Sequence, residues 1–374
     1  MRVLHVHSGN LYGGVETMLV SLTRHRDLCP QMESHFALCF EGRLKEELTA
    51  AGAPVHQLGK VRLRQVGSVL RARRTLRELV DKNDFDLGVC HSSWSRAIFG
   101  PVLRSSGLPL VSWFHNANRR RNWLDCWSDR TPPDLSICNS EFTASVLGNR
   151  HPGLPAEVVY CPVANRETHS NGDRRAIRAE LQTRETATVI VQASRMESWK
   201  GHALHLETLH VLKDLPDWIC WQVGGGQRPQ EIDYLERLKG LALQLGIADR
   251  IRFLDQRSNV PRLLRAADIY CQPNSKPEPF GIVFVEALYA GLPVLTTALG
   301  GACEIVSDSC GILAPPGDRK ALASSLRLLI QNPNLRTRLG ATGPERAQKL
   351  CDPLRQMNRI AEVLRSAVRQ PIIE

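Results

Sequence analysis

The sequence lacks the long apolar segments that would place it in a membrane. No run approaches the roughly 18 uninterrupted apolar residues of a membrane-spanning helix. The opening stretch MRVLHVHSGN has no extended apolar core of the secretory kind. The composition, with 43% hydrophobic and 23% charged residues, is that of a folded globular protein. We therefore expect a protein that is made and kept in the cytosol.

Paired cysteine motifs are also missing. The 11 cysteines are an odd number, and no two of them stand in a C-x-x-C arrangement. Many lie in apolar, strand-like runs such as LGVCHS and LSICNS. Such positions are typical of buried, reduced thiols.

Acidic residues are absent from 60–77, where seven Lys or Arg occur. Together with the net charge of +10, this segment favours an anionic partner. Val66, Leu70 and Leu76 lie between the basic residues and predict an amphipathic helix that could rest on an anionic membrane surface, at the inner face of a membrane. The alternative is an ordinary solvated helix face. Because no aromatic residues are interleaved with the basic ones, we expect no nucleic-acid partner.

Short apolar runs alternate with longer helical patterns along the whole chain. This alternation predicts parallel sheets covered by helices, an α/β class with doubly wound, Rossmann-like topology. The predicted strands lie near 2–7, 35–40, 87–91, 108–114, 135–138, 157–161, 187–193, 218–223, 250–254, 268–272 and 293–297.

The polar stretch 165–175 interrupts the alternation and is typical of a linker. Since 374 residues exceed the usual size of one core, we expect two domains, at 1–165 and 174–350. Helical patterns fill the chain from 318 onward. Ligands of such domains bind at the carboxyl ends of the strands, so we expect the chemistry in a cleft between them.

The stretch KPEPFGIVFVEALYAGLPV (276–294) is almost wholly apolar but contains Glu278 and Glu286. Pro279 suits the start of a helix, which would then be apolar around its circumference except at Glu286. A carboxylate in such a place needs a hydrogen-bonding partner, and a ligand with vicinal hydroxyls would supply one. The free amides at the start of this helix, those of Gly281, Ile282 and Val283, form a predicted anion site.

These residues resemble the signature of the retaining family 4 glycosyltransferases of the GT-B fold. EPFGIVFVE (278–286) has the two Glu separated by seven residues. HSGNLYGGVETMLVSL (7–22) is similar to the Gly-rich first loop of the family, and WFHN (113–116) to its sugar-side histidine segment. ASRMESWKGH (193–202) resembles its Arg/Lys phosphate clamp, and VGGG (223–226) the turn after the next strand. The order and spacing of the motifs make the resemblance specific over essentially the whole chain.

The resemblance implies roles for four residues on the donor side. Glu286 would bind the ribose hydroxyls of a nucleotide sugar, and Glu278 would lie beside the donor sugar. Arg195 and Lys200 would stabilise the departing diphosphate without a metal. The structural alternatives are a buried salt bridge for Glu286, an exposed loop position for Glu278, and solvated loop cations for the other two.

Five further residues come from the resemblance with weaker support from the sequence. Gly13 and Gly14 would let backbone amides approach the donor. The structural alternative is an ordinary tight turn between strand and helix. Glu16 would lie near the acceptor, or would simply complement the helix dipole. His115 would contact a sugar hydroxyl without acting as the general base. Gly224 would form part of the donor site.

We expect no metal. Asp84-Phe85-Asp86 imitates a metal motif of the other large glycosyltransferase fold, but it precedes a predicted strand and is interpreted as a turn. His202, His205 and His210 lie on one predicted helix without a matching third ligand motif.

The expected function is transfer of a sugar from a nucleoside diphosphate sugar to a hydroxyl acceptor with retention of configuration. The family mechanism is front-face displacement, and the family habit is a final helix, 351–374, that crosses back to the first domain. UDP-sugars are the first expectation and GDP-sugars the second. A nucleotide-sugar 2-epimerase of the same fold and a non-catalytic nucleotide-sugar-binding protein are the alternatives. A dinucleotide oxidoreductase is disfavoured because no G-x-G-x-x-G opens the first helix.

Overall fold

The computed structural model describes residues 1–116, 122–165 and 171–369. Strands in this part of the chain form two sheets. They are β1 (Arg2–His7), β2 (Glu33–Leu38), β3 (Val55–Gln57), β4 (Leu87–Cys90), β5 (Leu110–Phe114), β6 (Leu135–Cys138), β7 (Ala156–Val158), β8 (Thr188–Ala193), β9 (Trp218–Val223), β10 (Ile251–Leu254), β11 (Ile269–Gln272), β12 (Val294–Thr297) and β13 (Gly311–Ala314).

Helices connect most of these strands. They are α1 (Gly14–Arg24), α2 (Arg43–Ala50), α3 (Val66–Asp81), α4 (Ser93–Ser105), α5 (Trp123–Ser128), α6 (Glu141–Arg150), α7 (Asn171–Glu180), α8 (His202–Val211), α9 (Pro229–Gln244), α10 (Val260–Ala266), α11 (Ile282–Tyr289), α12 (Ala302–Ile305), α13 (Arg319–Gln331), α14 (Pro333–Cys351) and α15 (Pro353–Arg369). None of them combines the length and the apolar character that a membrane span requires.

Both sheets are parallel and doubly wound. Their strand orders are β3-β2-β1-β4-β5-β6-β7 and β10-β9-β8-β11-β12-β13. In each sheet the order reverses beside the first strand, between β1 and β4 in one and between β8 and β11 in the other. Loops on the two sides of such a reversal turn away from each other and leave a crevice at the carboxyl ends of the strands. The predicted fold class is confirmed.

All the predicted strands overlap observed ones, but β3 and β13 were not predicted. β3 is only three residues long and none of them is fully buried, so it carries no apolar run. β13 begins at Gly311, a residue that pattern reasoning assigns to a turn. The glycine is needed there because a Cβ would lie 2.2 Å from the carbonyl oxygen of Val294 on the adjacent strand.

Two predicted segments differ from the structure. The proposed linker 165–175 ends inside helix α7, which begins at Asn171, and 166–170 lie outside the described residues. The arginines and alanines of α7 favour helix in spite of the polarity of its first turn. The basic helix begins at Val66, not near Lys60, and continues to Asp81.

The chain divides into two compact units. Unit 1 comprises residues 1–162 and the chain from Cys351 onward, and unit 2 comprises Val163–Leu350. Helix α15 therefore belongs to unit 1, where Arg359 forms an ion pair of 2.6 Å with Glu157 on β7. Residues 370–374 of the proposed final helix lie outside the described residues.

Alternate residues of β1 serve two different environments in unit 1. Leu4 and Val6 belong to a large apolar cluster with Ala37, Cys90 and Leu110 of neighbouring strands. His5 and His7 point to the opposite face, because successive side chains of a strand alternate. The polar face is nevertheless buried, with His5 fully and His7 almost fully covered.

A buried ion network ties β8 to β11 at their amino ends in unit 2. The guanidinium of Arg178 donates to Asp268 at 2.7 Å and to the carbonyl of Ala266. The same Asp268 oxygen accepts the amide of Val189 at 2.7 Å, and Arg174 donates to the other oxygen at 2.6 Å. The network fixes the register of the two strands that flank the reversal.

Replacing Arg178 by Met should destabilise unit 2 by about 3 kcal/mol, because the change leaves Asp268 short of a buried partner. Arg175→Met on the same helix is the matched control. Its partner Glu185 is largely exposed, so the expected loss is about 0.5 kcal/mol or less. Urea unfolding followed by circular dichroism measures both, and equal losses in the two variants would contradict the role given to the buried network.

Candidate active site at the reversal of the second sheet

Two loops converge at the carboxyl ends of β8 and β11. The loop after β8 contains Arg195 and Lys200, and the loop after β11 contains Glu278. Lys200 Nζ lies 2.7 Å from Glu278 Oε2. The two residues are 78 positions apart in the chain, and they meet because β8 and β11 are neighbours in the sheet. The structure thus brings together a cation and an acid that the sequence predicts for one site.

Glu278 is buried, with 6% of its surface exposed. Its Oε2 accepts hydrogen bonds from Asn274 Nδ2 at 2.9 Å and from Gln272 Nε2 at 3.3 Å, besides that from Lys200. Within the described residues these bonds all reach the same oxygen, and Oε1 accepts none. An exposed loop position, the structural alternative for Glu278, is excluded. The carboxylate is anchored through one oxygen, and the other oxygen remains to accept from a ligand.

Arg195 is held by a carboxylate that the sequence reasoning missed. Its Nη2 donates to Glu231 Oε1 at 2.7 Å, and Glu197 Oε1 lies 3.3 Å away. Glu231 is buried in the first turn of α9, and its second oxygen accepts the amide of Gln227 at 2.8 Å. An acid in a first turn usually just complements the helix dipole, so the sequence offered no signal for this pairing.

The pKa of Glu231 reflects this arrangement. Burial raises the pKa of this carboxyl, but the hydrogen bond from Arg195, the amide of Gln227 and the nearby positive charges outweigh burial and leave the pKa below its ordinary value. Glu231 is therefore ionised at neutral pH and forms a true ion pair with Arg195.

Buried polar side chains hold the end of the loop that runs from Arg195 to Lys200. Gln192 Nε2 donates to the carbonyl of Lys200 at 2.9 Å, and His205 Nδ1 lies 2.8 Å from Gln192 Oε1. Gly201 follows with φ of +77°, and a Cβ on it would lie 1.8 Å from the carbonyl oxygen of Pro273. The backbones of the two loops are therefore in direct contact, and only glycine fits at this point.

Glu286 does not lie in a helix that is buried on nearly all sides, as the apolar sequence suggested. Phe284, Val285, Ala287 and Leu288 are buried, but Ile282, Val283, Glu286 and Tyr289 are half-buried. The second group recurs at intervals of three and four residues and so forms one face of α11. Glu286 reaches the surface along this face, which removes much of the desolvation cost that the sequence implied.

Glycines after the strands permit the close packing of this edge. Gly281 lies immediately before α11 and has φ of +104°. A Cβ at this position would lie 3.2 Å from Cγ of Glu278. Gly224 follows β9, and a Cβ there would lie 2.1 Å from the carbonyl oxygen of Ser194. The structure thus gives Gly224 a packing reason, and its predicted donor role stays a prediction.

Gly13 and Glu16 interact with each other at the start of α1, after the first strand of unit 1. The Glu16 carboxylate accepts the amide of Gly13 at 2.8 Å and lies 2.7 Å from His7 Nε2. Burial raises the pKa of Glu16, but the bonds from His7 and the backbone outweigh it and lower the pKa overall. The Gly13 amide already donates within the protein, so the predicted contact of this amide with a donor would require Glu16 to release it. Gly14 is the first residue of α1.

His115 lies just after β5 and is half-buried. Its Nε2 is 3.2 Å from His91 Nδ1, and its ring stacks against that of His91 with centroids 5.5 Å apart. The pattern of the sequence did not single out His91, because a lone histidine after a strand carries no spacing signal. Its proximity to His115 comes from the pairing of β4 with β5.

Within the described residues no group of three or more His, Cys, Asp or Glu side chains could hold a metal ion. His202 bonds Ser194 Oγ, His205 bonds Gln192, and His210 bonds the carbonyl of Leu245. Asp86 accepts the amide of Arg2, as expected of a turn residue before a strand.

Comparison with known proteins adds to this geometry. Residues 12–165 match the family model described as Glycosyltransferase Family 4, and residues 173–346 match the model described as Glycosyl transferases group 1. A phosphatidyl-myo-inositol mannosyltransferase of Mycobacterium leprae is 30% identical over 315 residues, which are 82% of this chain and 80% of the relative. The chain belongs to the group 1 family of glycosyltransferases.

Other proteins resemble this glycosyltransferase in part of the sequence or in the fold. A lipopolysaccharide core biosynthesis glycosyltransferase, LpsD of Rhizobium meliloti, is 34% identical over 169 residues, 45% of this chain and 46% of the relative. HepE of Anabaena, solved with UDP and glucose, has a TM-score of 0.85 at 24% identity and covers 98% of this chain and 100% of its own. At that identity the likeness shows the fold, and the predicted GT-B architecture is confirmed.

Replacing Glu231 by Gln in the glycosyltransferase should lower the free energy of unfolding by about 2 kcal/mol at pH 7, since a charged hydrogen bond to Arg195 is lost. The folded-state pKa of Glu231 is depressed, so its stabilising effect is complete above the unfolded pKa of about 4.3 and is lost as the pH falls through the folded value. The difference between wild type and variant should therefore be constant above about pH 5 and shrink in acid.

The control for this measurement is Glu236→Gln on the same helix, where the pair with Lys239 is exposed. Its effect should stay within about 0.5 kcal/mol at every pH. A wild type that keeps its full advantage over Glu231→Gln at pH 3 would show that ionisation of Glu231 does not matter to the fold.

Proposed function

We propose that this glycosyltransferase moves a sugar from a nucleoside diphosphate sugar to a hydroxyl acceptor, with retention of anomeric configuration and without a metal. The observation that carries the proposal is the ion pair of Lys200 with Glu278 at the reversal of the second sheet, with Arg195 held by Glu231 in the same loop as Lys200. This edge of a doubly wound sheet is where such folds bind nucleotides. Cleavage of a sugar–phosphate bond leaves a diphosphate with added negative charge, and fixed cations stabilise it.

The existing ion pairs are compatible with that task. A lysine ammonium has three N–H donors, and Lys200 donates one of them to Glu278. Arg195 has five N–H donors in a planar fork, and the pairs to Glu231 and Glu197 use the same terminal nitrogen. Phosphate oxygens can therefore bind to both cations while the carboxylates hold them in place. The cations are positioned before the donor arrives, which is the condition for effective electrostatic catalysis.

Other residues are proposed to bind the remaining parts of the nucleotide sugar. Oε1 of Glu278 accepts a hydroxyl of the sugar, and Glu286 on the half-buried face of α11 accepts the ribose hydroxyls. The amides of Gly281, Ile282 and Val283 at the start of this helix favour the diphosphate. His115 of unit 1 is the proposed contact to a further sugar hydroxyl.

In the proposed mechanism the acceptor oxygen attacks the anomeric carbon of the sugar from the same face as the departing diphosphate. The bond between the anomeric carbon and the phosphate oxygen breaks, the departing diphosphate oxygen takes the proton of the acceptor hydroxyl, and the new glycosidic bond forms. No protein nucleophile is required.

A UDP-sugar is the proposed donor and a GDP-sugar the second choice, with support from HepE, which was solved with UDP-glucose at a TM-score of 0.86. The acceptor class is a hydroxyl of a growing polysaccharide or glycoconjugate. Relatives named for phosphatidyl-myo-inositol, for D-inositol 3-phosphate and for the lipopolysaccharide core support an acceptor that carries negative charge.

The test is a screen of nucleotide sugars by thermal shift, followed by mass spectrometry of products with pools of acceptors. Incubation with donor alone distinguishes the 2-epimerase alternative, which would convert the sugar without an acceptor. Tight donor binding with no transfer to any acceptor would instead favour a non-catalytic binding protein.

In that assay Arg195→Ala and Lys200→Ala should each lower kcat by about 10² or more, because each removes a preorganised donor to the leaving group. Glu286→Gln should chiefly raise the Kd for the nucleotide. Arg237→Ala, an exposed change on α9, is the matched control and should leave turnover unchanged. Wild-type turnover in either of the first two variants would reject the assigned role.

The proposal includes contact of the basic segment 60–77 with an anionic membrane. A cytosolic protein would make this contact at the inner face of the membrane. Val66 and Leu70 are 69% and 59% exposed, beside exposed basic residues. Two of the seven basic residues serve the fold instead, since Arg73 donates to the carbonyls of Ile98 and Ala97 and Arg77 donates to Ser105. The exposed basic residues are Lys60, Arg62, Arg64, Arg71 and Arg74.

Sedimentation with vesicles of phosphatidylcholine alone or with phosphatidylglycerol measures this contact. Each basic residue near an anionic surface contributes about 1 kcal/mol, so the triple change of Arg62, Arg64 and Arg71 to Ala should weaken binding by about 100-fold. The triple change of Lys213, Arg237 and Lys239 to Ala alters the net charge equally and should leave binding unchanged. Equal losses in the two triple variants would assign the attraction to net charge alone.

A further inference from the structure

Imidazole rings of three neighbouring strands form a continuous row in unit 1. His5 lies on β1, His91 immediately after β4 and His115 immediately after β5. β4 pairs with both β1 and β5, so the three side chains stand next to one another on one face of the sheet. We call these residues the histidine row.

Hydrogen bonds link the members of the histidine row end to end. His115 Nε2 lies 3.2 Å from His91 Nδ1, and His91 Nε2 lies 2.9 Å from His5 Nδ1. The last ring nitrogen, His5 Nε2, lies 3.3 Å from the hydroxyl of Ser34 on β2. Trp113 stacks against both His91 and His115, which fixes the planes of their rings.

The row is buried and surrounded by few charges. His5 and His91 are essentially inaccessible, and only His115 is half-buried. Of the titratable groups around it, His7 meets His91 edge to face and pairs with Glu16, while His35 lies near His5 and bonds His56 and Glu33. Burial, with smaller contributions from neighbouring imidazoles, lowers the pKa of each member of the row. All three rings are therefore neutral at pH 7.

Neutral rings impose a common direction on the chain of bonds. A neutral imidazole has one N–H and one lone pair, so a ring that accepts through one nitrogen must donate through the other. His91 and His5 each use both nitrogens within the row. The direction of one bond thus fixes that of the next, and Ser34 can terminate either direction because a hydroxyl both donates and accepts. In both directions Nε2 of His115 is committed to His91, and Nδ1 is the nitrogen left for a ligand.

We propose that His91 and His5 are positioning residues that lock the tautomer of neutral His115 to their own and present its Nδ1 to the substrate. The substrate role of His115 rests on the proposed function, whereas the lock itself is a property of the unliganded protein. A ring held in this way offers a sugar hydroxyl either a donor or an acceptor, according to the direction of the row, and it loses little orientational freedom on binding.

The test is nitrogen-15 NMR of the unliganded, full-length protein with labelled histidine, assigned by single substitutions. In the wild type, His115, His91 and His5 should share the same tautomer, either Nε2–H or Nδ1–H or the same mixture of the two, and His115 should not titrate between pH 8 and pH 5.5. His91→Ala admits water and removes the partner of Nε2, so the tautomer of His115 should no longer match that of His5 and His115 should titrate near the ordinary value of about 6.5. His91→Gln, whose amide can both donate and accept, should restore the common tautomer and abolish the titration.

Activity gives a second readout. In His91→Ala the kcat/KM should fall below about pH 6.5 as His115 becomes charged, while the wild type shows no such fall from this group. His56→Ala removes a nearby imidazole that is not part of the histidine row and should change neither the spectra nor the pH profile. Should His91→Ala fail to fold, His5→Ala breaks the row one link further away and should still change the tautomer ratio of His115, which His5 does not touch.

Different tautomers at His115, His91 and His5 in the wild type, or an unchanged His115 spectrum in folded His91→Ala or His5→Ala, would overturn the proposal. Failure of the proposed function has a different signature. If His115→Ala transfers sugar at the wild-type rate, the substrate contact is wrong, but the spectra of the unliganded protein still decide whether the lock exists.

Discussion

The parallel pairing of β8 with β11 is the constraint on which the candidate site depends. Ile190 and Val191 pair with Ile269 and Tyr270, and the helices that follow these strands leave in opposite senses because the strand order reverses here. At the amino ends, the Arg178–Asp268 network fixes the register. At the carboxyl ends, the loops touch through Gly201, and Lys200 reaches Glu278. A shift of either strand by one residue would turn each side chain to the other face of the sheet and separate the pair.

Charge at this edge is balanced before any substrate binds. Each of the two cations has a buried carboxylate partner, Glu231 for Arg195 and Glu278 for Lys200. Burying a lone charge costs far more than burying a pair with satisfied hydrogen bonds, so the acids make it possible to hold cations in a partly dry crevice. Each cation keeps N–H donors that these acids do not use, so the pairing leaves room for the diphosphate of the proposed donor. On that proposal the acids hold the cations in place and do not compete with the ligand.

Buried polar side chains support both sheets beneath their functional edges. Gln192 and His205 hold the carbonyl of Lys200 in unit 2, and the histidine row lies behind His115 in unit 1. Apolar residues would fill these positions at lower desolvation cost, but they could not orient a loop or couple tautomers. In each unit, fully buried polar residues contact a group at the edge of the sheet, the carbonyl of Lys200 in unit 2 and the ring of His115 in unit 1.

The sequence by itself determined the two parallel-sheet units, the family and the loops that carry the candidate residues, because apolar periodicity and glycine-rich turns are local features that each segment expresses on its own. It also placed Arg195, Lys200 and Glu278 at carboxyl ends of strands. Only the tertiary structure decided their partners. Glu231, His91 and His5 stand far along the chain from the residues they contact, and no spacing rule relates them. The half-buried face of α11 was likewise invisible, since an apolar run reports that a helix is packed but not which side is left open. Long-range pairing follows from strand order, and strand order is a property of the folded sheet rather than of any segment within it.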